Sequence, residues 1–152
     1  RHCFGFQMRV LLSHSKVNDP GQGKIALTER SPYSSCMIFG NMSHHDKLMS
    51  DIEWNLNKAY YNQIGWIPDV IIYLECSPEL AFKRTQIRNR EGEDHMTPLY
   101  LKRLACEYEK AILDLEGNVG VHVHRIDASM DEEEVYNKIL EVISIYHNNQ
   151  NQ

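Results

Sequence analysis

Three guanidiniums stand close together at Arg84, Arg88 and Arg90, with a carboxylate, Glu93, three residues further on. Arg84 and Arg88 are four residues apart, so on a helix they share one face. Arg90 follows where the helix is expected to break, at Gly92. A guanidinium presents donors in a fixed fork and keeps its charge at any working pH. Several of them converging suit a polyphosphate better than a lone carboxylate, and a lid over a transferring phosphoryl group needs this chemistry. The plain alternative is a solvated basic face.

Two further sites place charge after an apolar run. Glu29-Arg30-Ser31 follows Lys24–Thr28, and Glu75-Cys76-Ser77 follows Val70–Leu74. In parallel sheets ligands bind at the carboxyl ends of the strands, so both positions are candidates, with a structural ion pair as the alternative. The histidines are weaker candidates. His44 and His45 are adjacent and diverge in regular structure. His122 and His124 would share one strand face, but no third ligand lies nearby, so no metal site is expected. The four cysteines form no C-x-x-C pair, which favours reduced thiols in an intracellular protein over a disulfide framework.

The elements that must position these groups alternate in type. Phe4, Met8, Leu11 and Leu12 predict a helix over 2–15, followed by a turn at Asn18–Gly21 and a strand over 24–28. Ser31-Pro32 offers a cap and a first-turn proline for a second helix. Ile52, Leu56, Ala59 and Tyr60 predict a third over 50–63. Val70–Leu74 reads as a strand covered on both faces. Ser77-Pro78 and Thr97-Pro98 start two more helices, the second running to about Leu115. Gly117–Gly120 is expected as a turn and Val121–Ile126 as a strand. Ser129 and Glu132 stand at capping-box spacing before a last helix reaching about Tyr146, with a frayed tail over 148–152. Strands separated by helices imply an α/β fold, with helices flanking a parallel sheet.

Composition limits the function. The 152 residues suit one domain, and 42% hydrophobic with 24% charged is ordinary for a protein with a packed core. A net charge of -5 argues against nonspecific nucleic-acid binding, and no apolar run approaches membrane-spanning length.

Taken in order, Phe6-Gln7, Glu29-Arg30-Ser31 with Tyr33-Ser34 and Ile38-Phe39, Glu53-Trp54, Asp69–Leu74, Ser77-Pro78-Glu79, the arginine cluster and Pro98–Leu101 resemble the deoxynucleoside kinase family. The resemblance runs from Phe6 to about Ile143 and implies a P-loop kinase-like domain over 1–147. It implies ATP-dependent 5′-phosphorylation of a deoxyribonucleoside, with Mg2+, by a homodimer that is cytoplasmic or mitochondrial and binds neither nucleic acid nor membrane. Gln7 would hold the nucleobase, and Arg30, with Glu29, would stand near the 5′-hydroxyl. Arg84, Arg88 and Arg90 would form the lid over the ATP phosphates, Glu93 would accept from the sugar 3′-hydroxyl, and Asp127 would lie near the adenine. Substrate choice would fall to Val10 or Leu11, His14 and Ser35. The deoxycytidine type has an arginine–aspartate pair at the last two positions, and thymidine-accepting members have an apolar residue and alanine. A small Ser35 leaves room and favours pyrimidine deoxynucleosides.

One family motif is missing. No G-x-x-x-x-G-K-[ST] stretch occurs in the chain, nor the acidic residue and tyrosine that the family carries upstream. The expectation is therefore an N-terminally truncated kinase, lacking the first strand and phosphate-binding loop and inactive as it stands. A nucleoside-monophosphate kinase and a non-catalytic dimerising partner are the other readings.

Overall fold

The computed structural model describes residues 2–16, 21, 24–93 and 96–149. Its contacts fall into two compact units, Arg1–Pro68 and Asp69–Gln152. No composition shift marks that division.

The first unit is helical among its described residues. Helix α1 (Cys3–His14) buries Gln7 and Leu11, and Leu11 is fully enclosed. After Pro32 the chain runs through a π-helical stretch, π1 (Ser34–Gly40), directly into α2 (Asn41–His45). The expected cap works differently from the usual pattern. The Ser34 hydroxyl donates to the Ser31 carbonyl and accepts from the Ser31 amide. Helix α3 (Asp51–Ile64) starts on a capping box: Ser50 Oγ accepts from the Glu53 amide, and the Glu53 carboxylate accepts from the Ser50 amide. Gly40 allows α3 to approach closely, since a Cβ there would stand 2.9 Å from the Trp54 ring and 3.0 Å from Asn57 Oδ1. A larger residue at this position would push the two helices apart.

Cys36 lies in this core, and burial pushes its thiol from the ordinary 9.0 up to about 12. Unfolding releases a thiol that ionises near 9, while the folded thiol stays neutral to about 12. The stability Cys36 contributes is therefore complete below about pH 9 and is lost as pH rises towards 12. We expect the urea midpoint to fall across that window, and Cys36→Ala to flatten the fall. An equally steep fall in Cys36→Ala would show that other groups cause it.

The strand expected over 24–28 is absent. These residues have no ladder partner among the described residues and are all exposed, Leu27 by 69%. An apolar run becomes a strand only where another strand satisfies its backbone. Arg30 consequently sits at a bend before π1, not at a strand end. The turn expected at 18–20 lies outside the described residues.

The second unit carries the sheet. Strand β1 (Val70–Glu75) pairs in parallel with β2 (His122–Asp127), in register from Val70 opposite His122 to Glu75 opposite Asp127. Between them run α4 (Pro78–Arg88), α5 (Pro98–Asp114) and a π-helical turn, π2 (Leu115–Val119); α6 (Glu132–Asn149) follows β2. Ser77 caps α4 by accepting from the Leu80 amide, and Thr97 caps α5 by accepting from the Tyr100 amide. Four expectations are corrected here. Strand β1 is only half-covered, with Leu74 44% exposed, because it has one ladder neighbour among the described residues. Residues 115–119 continue α5 as a π-helix, and the chain turns only at Gly120, whose φ is +80°. The cap of α6 is Asp131, which accepts from the Glu134 amide, not Ser129 with Glu132. The last helix also extends past Tyr146 to Asn149, so Asn148 is helical. No described helix is long and apolar enough to cross a membrane.

Candidate functional site

The two units contribute separate groups. In the first, Gln7, Val10, Leu11 and His14 recur along one side of α1 at helical spacing. Gln7 is 6% exposed, and among the described residues the buried side-chain atom left without a hydrogen bond is Asn57 Oδ1, not the Gln7 carboxamide. The Gln7 carboxamide carries a donor and an acceptor side by side, which suit a ligand that supplies both. Two turns along, His14 Nε2 stands 3.1 Å from the buried Ser35 Oγ. The His14 carbonyl accepts from Trp66 Nε1 at 3.2 Å, tying the end of α1 down. Burial, then the nearby charge of Arg30, holds the His14 imidazole below its ordinary pKa. The shift favours the neutral ring, which shares a hydrogen bond with the serine hydroxyl.

Arg30 adopts φ 68°, in the left-handed region. Its carbonyl accepts from Thr28 Oγ1 at 3.0 Å, and its guanidinium lies 4.6 Å from the Phe39 ring centroid. Glu29 approaches it only to 3.9 Å and is 91% exposed. That contact is screened by water and holds little, so Phe39 and the bend position Arg30, not the neighbouring glutamate. Elsewhere in this unit His44 Nε2 donates to the Asp51 carboxylate at 2.7 Å, and its ring stacks on Trp54, an arrangement that supports the start of α3.

In the second unit the arginine cluster straddles the end of α4. The helix stops at Arg88 because Asn89 turns left-handed, with φ 45°, three residues before the break expected at Gly92. Arg90 is therefore past the helix and exposed. Arg88 makes a forked ion pair with Glu93, Nη2 to Oε1 at 2.6 Å and Nε to Oε2 at 3.3 Å. The structure thus joins a predicted lid arginine to the predicted sugar-binding carboxylate. Arg84 points back to the start of its helix, with Nη1 3.9 Å from Cys76 Sγ. Asp127 ends β2 beside Glu75 and accepts from the Ser129 amide at 2.8 Å. Hydrogen bonding from Ser129 holds this carboxyl below its ordinary pKa.

The sequence profile of the deoxynucleoside kinase family matches residues 1–147. The chain belongs to that family. Among its relatives, the putative kinase protein 029R of Invertebrate iridescent virus 3 is 33% identical over 151 residues, covering 95% of this chain and 73% of the viral protein. The deoxyadenosine kinase of Dictyostelium discoideum is 27% identical, over 78% of this chain and 51% of its own. Human deoxycytidine kinase is 26% identical, over 94% of this chain and 63% of its own. This chain therefore spans about half to three-fifths of the length of those two cellular kinases. A solved structure of M. mycoides deoxyadenosine kinase with bound dATP shares the fold, with a TM-score of 0.73 at 21% identity, covering 94% of this chain and 74% of that one.

In this member of the family the sequence reading missed one polar cluster. Arg125 Nη1 donates to Glu75 Oε1 at 3.4 Å and to Glu109 Oε1 at 3.0 Å. Its guanidinium lies 5.6 Å from the Tyr73 ring centroid, and Tyr73 stacks on Tyr108. The carboxylate at the end of β1 is thus engaged in an ion pair. An arginine inside a strand, opposite a run that ends in glutamate, was the available signal. The other strand histidine, His124, bonds to Tyr146 Oη at 2.8 Å.

Proposed function

We propose that the protein of which these residues form the kinase domain transfers a phosphoryl group from ATP to the 5′-hydroxyl of a deoxyribonucleoside. The observation that carries this reading is the buried Gln7 on the same helix as the His14–Ser35 pair, in a chain of this family. A neutral donor–acceptor pair matches the edge of a nucleobase. It does not suit the doubly charged acceptor of a nucleoside-monophosphate kinase, which would need cations there. In this proposal Arg30 and Glu29 stand at the 5′ end of the nucleoside and Glu93 takes the 3′-hydroxyl.

ATP with Mg2+ would supply the transferable phosphoryl group. The exposed guanidiniums of Arg84 and Arg90, with Arg88 between them, are a donor set of the right charge for its phosphates. Asp127 would lie on the adenine side. The short Ser35, held by His14, favours pyrimidine deoxynucleosides. We also propose that residues 1–147 belong to one kinase domain, with 148–152 as its tail. A homodimer would pair through α1 and α3, where Phe6, Ile52 and Leu56 are exposed.

The test is ATP-dependent phosphorylation of thymidine, deoxycytidine, deoxyadenosine and deoxyguanosine by this chain and by the full-length protein. We expect activity in the full-length protein, fastest with the pyrimidines. A full-length protein that folds and phosphorylates none of the four would favour the non-catalytic partner.

A further inference from the structure

Helix α4 carries two of the arginines, so whatever fixes its first turn fixes their reach. That turn is anchored at one point. Ser77 Oγ accepts from the Leu80 amide, and the Ala81 amide donates to the Ser77 carbonyl at 2.9 Å. Ser77 stands two residues after Glu75, the last residue of β1. The Glu75 backbone is tied to the other strand, since its carbonyl accepts from the Ala128 amide at 2.8 Å. Its side chain is tied to Arg125. Arg125 joins β1, β2 and α5 at once: it grows from β2, bonds Glu75 on β1 and Glu109 on α5, and lies over Tyr73.

We infer that Arg125 is a positioning residue for the lid helix, holding the end of β1 against α5 so that Ser77 starts α4 in one orientation. The inference rests on the kinase reading for its consequence in turnover, but the restraint itself is a property of these residues. Both carboxylates share the single nitrogen Nη1, so one cationic group suffices and a lysine can replace the arginine in part. A methionine of similar length keeps the packing over Tyr73 and loses the cation. The cluster is partly exposed, with Arg125 at 32% and Glu75 at 53%, so its loss is small in global stability. Its effect is concentrated where the chain leaves the sheet.

The test compares Arg125→Met and Arg125→Lys in two measurements. In hydrogen exchange on this chain, Arg125→Met should speed the amides of Leu80 and Ala81 about three- to fivefold, the scale of one exposed ion pair, while those in the middle of α6 are unchanged. Arg125→Lys should recover most of the protection. In the full-length kinase, Arg125→Met should raise the KM for ATP by a similar factor and leave the KM for nucleoside within about twofold. Unchanged exchange at the start of α4, or equal change throughout the unit, overturns the inference whatever the activity. A wild-type protein without kinase activity would remove the proposed function instead, and the exchange measurement would still decide the role of Arg125.

Discussion

Arg88→Ala in the full-length kinase should lower kcat by about 10²- to 10³-fold, the usual cost of removing one preorganised donor from a site of developing charge. The KM for nucleoside should stay within about threefold. The asymmetry follows from when the contact matters. In a loose phosphoryl transfer, charge spreads over the equatorial oxygens only as the bond breaks, and a guanidinium aimed at them gains most at that moment. The ion pair with Glu93 holds Arg88 in one orientation: two bonds from two different nitrogens fix the plane of the guanidinium. That pair is 45% and 21% exposed at its two ends, so breaking it should cost under about 1 kcal/mol of folding stability. Arg88→Lys separates charge from geometry. It keeps a cation near Glu93 but cannot hold the fork, and should recover only a small part of the turnover. Unchanged kcat in Arg88→Ala would remove the arginines from the lid.

The parts of this fold that were legible in the sequence are those set by local chemistry. Ser77-Pro78 and Thr97-Pro98 start helices because a side-chain acceptor and a preset φ do the same work in any context. The apolar run Val70–Leu74 is a strand, and it pairs in parallel with 122–127 as alternating helices and strands require. What was not legible depends on partners far away in sequence. Lys24–Thr28 has strand-like composition and no strand beside it among the described residues, so its pattern had nothing to act on. The π-helical stretches leave no spacing signature in a short segment. Asp131 won over Ser129 as the cap of α6 because Asp127 already bonds the Ser129 amide. Among the site residues, the side of α1 holding Gln7 and His14 follows from periodicity alone. That His14 meets Ser35 could be inferred only from the resemblance, since 21 residues separate them.

Arg30 should show an inverted order of stability: Arg30→Gly more stable than Arg30→Ala by about 1 kcal/mol. At an ordinary position glycine is the weaker choice, because the unfolded chain gains more freedom from it. At φ 68° every residue with a Cβ is strained, and glycine alone relieves the strain. Both variants lose the contact with Phe39, so that loss cancels between them. The full-length kinase should meanwhile lose at least about 10²-fold in kcat with either variant, the scale of losing one charged donor at the phosphoryl group. A residue whose backbone would be relaxed by glycine, but whose side chain is needed, explains why a strained arginine persists at the bend before π1: the turn delivers its guanidinium to the face of Phe39 at 4.6 Å, and a relaxed backbone would aim it elsewhere. The two measurements fail separately. If urea unfolding gives the alanine variant equal or greater stability, the strain at Arg30 is not real. If both variants keep full turnover, Arg30 has no place at the 5′-hydroxyl, and the bend is a matter of folding alone.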